Sequence, residues 1–238
     1  SANEKSHKEK IKQVIQELKG VECFFASPGK ERLNRLEKAF VSHEFKSLSH
    51  LVLETTKQLV GDSYRSNPEF VDFDNDGDID VFVGSRSVVG VYGLDPNHLF
   101  LENNGDGTFS DATERLAYDL KKAGMITSAV WTDIDNDQKK DLITVSDWGI
   151  PRIFKNTGRR LSLISSDLDN LHGWWNVVES ADLDNDGDMD LILGNQGLNT
   201  LYKTYADAPM KMWVNDFDNN GTFEQIVTRN IDGKDYPI

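Results

Sequence analysis

One phrase, written four times, constrains this chain more than any other feature. It runs VDFDNDGDIDVFVG from Val71, TDIDNDQKKDLITV from Thr132, ADLDNDGDMDLILG from Ala181 and NDFDNNGTFEQIVT from Asn215. The opening aspartates, Asp72, Asp133, Asp182 and Asp216, lie 61, 49 and 34 residues apart. Recurrence at such intervals marks a repeated supersecondary unit, because each copy needs a neighbour to cover its apolar face. Each copy reads as a nine-residue acidic turn that runs into an apolar strand.

The apolar runs after Pro68 are short and rich in Val, Ile, Phe and Trp: Ile79 to Gly84, His98 to Leu101, Asp141 to Val145, Arg152 to Phe154 and Met189 to Gly194. Asn, Asp and Gly separate them, the pattern of strands joined by tight turns. A second phrase lies between copies, LFLENNGDGTFSDAT from Leu99 and, more weakly, RIFKNTGRRLSLIS from Arg152, and predicts a hairpin. Strand, acidic loop, strand and hairpin make four antiparallel strands in about 50 residues, the content of one propeller blade.

The loops have the chemistry of a hard-cation site. In the first, Asp72, Asp74, Asp76 and Asp80 stand at positions 1, 3, 5 and 9, with Gly77 at position 6 and the backbone carbonyl of Asp78 at position 7. Alternating oxygen ligands around a sharp turn suit Ca²⁺, whereas zinc and copper favour nitrogen and sulfur. The third loop repeats the set with Asp182, Asp184, Asp186, Asp188 and Asp190. The second has Asp133, Asp135, Asp137 and Asp141, with Lys139 at position 7, but Gln138 replaces the glycine; a strained or altered turn and weaker binding are expected. The fourth has Asp216, Asp218, Asn220, Thr222 and Glu224, one carboxylate charge fewer at position 5 and a longer last ligand. An EF-hand needs a glutamate at position 12; here Val83, Thr144, Leu193 and Val227 stand there. The carboxylates are also too crowded to be the acid/base pair of a glycosidase.

Charge divides the chain. Residues 1–65 carry 12 basic and 9 acidic side chains, and residues 66–238 carry 14 and 31. The apolar stripes Ile11/Val14/Ile15/Leu18, Leu33/Leu36/Phe40 and Phe45/Leu48/Leu51/Val52/Leu59 predict about three short helices in the first part. The net charge of -14 disfavours nucleic acid as a partner. Cys23, the one cysteine, excludes an internal disulfide, and no apolar run is long enough for a transmembrane helix. Trp131 and Trp213 are expected in the core; of Trp174 and Trp175, adjacent on a strand, core packing is favoured over an exposed platform.

The loops, the apolar strands ending at Gly84 and Gly194, and the turn Asn103-Asn104-Gly105-Asp106-Gly107-Thr108-Phe109 resemble the FG-GAP/VCBS repeats of integrin-alpha-type β-propellers. The segments Gly173-Trp174-Trp175-Asn176 and Gly194-Asn195-Gln196-Gly197-Leu198-Asn199 resemble exported repeat proteins related to cartilage acidic protein. The resemblance covers about residues 66–238. Together these readings give a mainly β chain: an incomplete β-propeller of three to four four-stranded antiparallel blades, the last truncated, preceded by a small α-helical segment over residues 1–65. Two to four structural Ca²⁺ ions are expected, with extracellular, cell-surface or periplasmic recognition or adhesion of a protein or carbohydrate and no catalysis. The alternatives are a lyase or hydrolase on the same scaffold, or an assembly module whose helices mediate oligomerisation. An open ring would leave strand edges for self-association.

Overall fold

The computed structural model describes residues 63–238 apart from Gly107, Leu198, Leu201, Lys203 and Ala206. The helices expected before residue 63 lie outside the described residues. Among the described residues the fold is mainly β, with four antiparallel sheets and one short α-helix. No helix among them is long and apolar enough to cross a membrane.

The first sheet has the order β1 (Ser63–Val71), β2 (Asp80–Val88), β3 (Leu99–Asn103) and β4 (Phe109–Asp111). The helix α1 (Thr113–Leu116) and a 3-10 turn at Tyr118–Lys122 lead into the second sheet. There β5 (Met125–Thr132), β6 (Asp141–Asp147), β7 (Arg152–Asn156) and β8 (Leu161–Ile164) repeat the same order. The third sheet pairs β9 (Trp175–Ala181) with β10 (Asp190–Asn195). The fourth orders β11 (Met210–Asn215), β12 (Glu224–Ile231) and β13 (Lys234–Pro237). Four strands per unit therefore hold for the first two sheets, against two and three strands among the described residues of the others. Strand β1 begins at Ser63, ahead of the charge boundary, and carries Pro68 on the sheet edge, where a missing N–H donor is tolerated.

Every acidic loop closes the same strand pair in the same register. The residue just before loop position 1 pairs with position 9: Val71 with Asp80, Thr132 with Asp141, Ala181 with Asp190 and Asn215 with Glu224. Side-chain alternation then sets the core. On the second sheet Ala129, Trp131, Leu142 and Phe154 face the first sheet, meeting Phe73, Phe82 and Phe100. Val130, Ile143, Val145 and Ile153 face the other way, onto Trp175 and Val178 of the third sheet. The second sheet is thus buried on both faces. Phe100 makes edge contacts with Phe73 at 5.1 Å and with Trp131 at 6.3 Å between ring centroids, a geometry that adds to area burial.

The expectation for Trp213 is corrected: it is 48% exposed. Alternation along β11 turns Met210, Met212 and Val214 inward and Lys211, Trp213 and Asn215 outward. Met212 and Val214 lie against the backbone of Gly93, at φ +103, where a Cβ would clash. Trp175 is core, and Trp174, half-buried, packs on Trp148 at 5.5 Å.

His98, 5% exposed, enters β3 from the core. Its Nδ1 accepts the Ser85 N–H at 3.1 Å, and the Gly124 carbonyl supplies an acceptor on the other side. Burial pushes the imidazole down to about 4. The unfolded chain, with a His near 6.5, binds the extra proton between these values, so stability rises with pH across that window and is fully present above 6.5. From pH 7 to pH 5 the wild-type chain is expected to lose about 2 kcal/mol more than His98→Gln, read from denaturant midpoints at both pH values. Equal losses in the two proteins would refute this role for His98.

Candidate metal centre

The four loops share one backbone scheme. The N–H at position 6 donates to the carboxylate at position 1: Gly77 to Asp72 (3.2 Å), Gln138 to Asp133 (2.7 Å), Gly187 to Asp182 (3.1 Å) and Gly221 to Asp216 (2.9 Å). The N–H at position 7 donates to the side-chain oxygen at position 5: Asp78 to Asp76, Lys139 to Asp137, Asp188 to Asp186 and Thr222 to Asn220, all at 2.8–2.9 Å. The N–H at position 2 donates back to position 9: Phe73 to Asp80, Ile134 to Asp141, Leu183 to Asp190 and Phe217 to Glu224. The longer Glu224 makes the bond its aspartate counterparts make.

These bonds turn the carboxylates toward one another. Oxygens of Asp72, Asp74 and Asp76 lie within 4.8 Å of each other, as do those of Asp133, Asp135 and Asp141, of Asp182, Asp184 and Asp190, and of Asp216, Asp218 and Glu224. The aspartates at position 7 stay outside these groups, while the Thr222 hydroxyl donates to Glu224 at 3.0 Å. Asp78 lies against the backbone of Gly105, and Asp188 accepts a hydrogen bond from Asn136 of the second loop.

Burial and mutual repulsion work against the ionised form. Asp80 is 3% exposed and is pushed up to about 6 by burial, despite N–H bonds from Asn103 and Phe73. Asp74 is raised by burial and by the neighbouring Asp76, and Asp141 by burial. In the first loop Asp72 Oδ1 is buried without a hydrogen-bond partner. An orphaned carboxylate oxygen beside two further carboxylates fits a hard cation. The donor sets of the third and fourth loops, on the same backbone, fit one as well.

The second loop differs. Lys155, from β7, hydrogen-bonds Asp135, lies 2.9 Å from Asp137 and approaches Asp141 at 3.6 Å. Lys139 adds a contact to Asp137 at 3.1 Å. The Lys155 hydrogen bond, joined by the Lys139 N–H, holds Asp137 down at about 2. Partial burial of the Lys155 ammonium is outweighed by its carboxylate partners, so its titration moves above the ordinary range. The donors present here do not fit a metal ion as those of the other loops do.

Of the two outcomes expected for Gln138, a strained or an altered turn, the turn keeps its shape and carries the strain. Gln138 takes φ +68, the left-handed region in which Gly77 (+95), Gly187 (+96) and Gly221 (+88) sit. Asn75, Asn136, Asn185 and Asn219, at position 4, are left-handed as well, at φ 59 to 62. The sequence signal for them is present in all four phrases, since asparagine tolerates this region better than most residues. Asn103 and Asn156, the last residues of β3 and β7, donate their N–H to Asp80 and Asp141 at 2.8 and 2.7 Å; the shared ENNG and KNTG positions carry that signal.

At the opposite ends of the strands lies a second polar cluster. Asp147, closing β6, accepts from Arg86 at 2.6 Å and from the Tyr92 hydroxyl at 2.9 Å on the same oxygen. Its other oxygen is buried and unpartnered. Trp148 follows with φ +52, and its ring meets Trp174.

Stacked antiparallel sheets, each closed at one end by the same acidic loop, define a repeat module with cation-type loops. The profile of the FG-GAP-like repeat matches residues 72–144 and again 133–193. These matches span residues 72–193, just over half of the chain, and the chain belongs to the FG-GAP-like repeat family. Each match starts on a loop aspartate and ends in the strand beyond the next loop. No curated protein matches the chain.

The left-handed position gives a direct test. A Cβ at Gly77 meets nothing within 4 Å, so Gly77→Ala is expected to cost about 1 kcal/mol through backbone conformation alone. Gln138→Gly is expected to gain a similar amount, offset in part by the greater entropy of glycine in the unfolded chain. Urea denaturation of both variants checks the pair of signs.

Proposed function

We propose that this chain is a non-catalytic calcium-binding module whose sheets are blades of a β-propeller, serving recognition or adhesion outside the cell. The observation that carries the reading is the recurrence of one hydrogen-bonded acidic loop, in one register, at the same end of four sheets. Two stacked interfaces support the propeller arrangement, with the apolar position-2 residue buried where a following sheet covers it, as Phe73 is. Leu183 and Phe217, the same position in the last two loops, are 61% and 46% exposed.

Calcium would be held by Asp72, Asp74, Asp76 and Asp80, by Asp182, Asp184, Asp186 and Asp190, and by Asp216, Asp218, Asn220 and Glu224, with the position-7 carbonyl completing each set. Its part is structural. It supplies the positive charge that lets these carboxylates stay ionised and close together, and so ties the first two strands of each blade. In this reading the blades begin with β1 at Ser63, three residues ahead of the boundary that the charge pattern suggests. The ligand, a protein or carbohydrate, is taken at the strand ends opposite the loops, where Tyr92, Trp148 and Trp174 offer aromatic surface beside Arg86 and Asp147. Calcium affinities of about 10⁻⁴ M, usual for extracellular modules, suit that location.

Thermal unfolding in about 1 mM Ca²⁺ and in chelator tests the reading. Three sites of that affinity contribute roughly 4 kcal/mol, a shift of about 10 °C. An unchanged midpoint, with no calcium bound in a titration, would overturn it.

A further inference from the structure

We infer that the ammonium of Lys155 is the resident cation of the second loop, so that this loop folds without a metal ion and calcium is taken only by the loops beginning at Asp72, Asp182 and Asp216. The geometry is that of an ion in a ligand set. Lys155 Nζ hydrogen-bonds Asp135 at position 3, stands 2.9 Å from Asp137 at position 5 and 3.6 Å from Asp141 at position 9. These are the side chains that a calcium ion would draw together at 2.3–2.6 Å. An ammonium nitrogen at hydrogen-bond distance from such a set takes up the same place, and a divalent ion added beside it would meet a like charge at contact.

The loop around Lys155 is complete. Both oxygens of Asp133 are satisfied by the N–H groups of Asp137 and Gln138, whereas the matching Asp72 keeps a buried oxygen without a partner. Lys155 itself is 18% exposed; of its partners Asp141 is fully buried, while Asp137 and Asp135 are 31% and 49% exposed, so the ammonium bridges the buried end of the loop and its surface. Among the described residues, no lysine or arginine pairs with the carboxylates of the other three loops in this way.

The position is a charge reversal within the repeat. In the first sheet the third strand reads Leu-Phe-Leu-Glu-Asn, in the second Arg-Ile-Phe-Lys-Asn. The closing asparagines, Asn103 and Asn156, make the same N–H bond to the position-9 aspartate, which aligns Lys155 with Glu102. Glu102 turns instead to Arg115. The first unit therefore leaves its carboxylates to an outside cation, and the second brings its own on β7.

The count of ions rests on the calcium reading of the other loops; the role of Lys155 does not. The test uses the full chain, wild type and Lys155→Met, with calcium titration and thermal unfolding in chelator and in saturating Ca²⁺. In chelator Lys155→Met is expected to unfold about 4 °C or more below wild type. It should bind one Ca²⁺ more than wild type and recover much of the loss on binding it. Wild-type stability of the variant in chelator, an unchanged calcium count, or four ions on the wild type would each overturn the inference. Wild type binding none while the variant binds one would defeat the calcium reading of the other loops and leave this one standing. If Lys155→Met does not fold, Asp137→Asn serves: an unchanged calcium count supports the inference, and loss of one ion overturns it.

Discussion

A buried carboxylate shared between three strands is the joint on which each complete sheet depends. Asp80 sits at the first residue of β2, takes one N–H from Phe73 across the loop and another from Asn103 on β3. Asp141 does the same with Ile134 and Asn156. One side chain thus fixes the loop, the register of the first strand pair and the approach of the third strand. Removing it would leave two N–H donors without acceptors in a region with little access to water. The neighbouring sheet is joined to the same point, since Asn156 Nδ2 donates to the Phe73 carbonyl at 3.0 Å.

The joint has a consequence for charge. Its carboxylate must be an acceptor, yet burial and the other loop aspartates favour the protonated form. A cation resolves the conflict, because it rewards the ionised state of all the carboxylates at once. The first and second sheets carry the same joint and share three loop hydrogen bonds. They differ in whether positive charge comes from their own strand and in the extra Asp137 N–H that the second loop gives to Asp133.

Much of this was legible in the sequence, and the parts that were not share a cause. The loops, their spacing and the strands after them follow from local pattern: short continuous apolar runs after Asp80, Asp141 and Asp190, with Asn, Asp and Gly in the turns. Lys155 was not legible from the loop because it stands 22 residues after Asp133 and reaches it only through the pairing of β6 with β7. Aligning its strand with that of Glu102 would have shown the charge reversal. Trp213 was misplaced because a strand pattern says that two faces differ, not which of them another sheet covers. Gln138 was expected to strain or alter its turn, and the surrounding hydrogen bonds hold the shape while the side chain takes the strain of a left-handed backbone.

The constancy of the loops contrasts with the spacing between them. Eight residues separate the paired strand ends in every copy, and one residue more or less would turn each following side chain to the opposite face. On the second sheet, where Trp131 and Val130 enter different cores, such a change would exchange both cores at once. The intervals between units, by contrast, range from 34 to 61 residues within this one chain. The crossings between sheets are of similar length, so the changes are absorbed inside the units. Ten residues join β2 to β3 where four join β6 to β7, and the third sheet has two described strands in place of four, which makes the connection after the second strand the place to splice, graft or label this molecule.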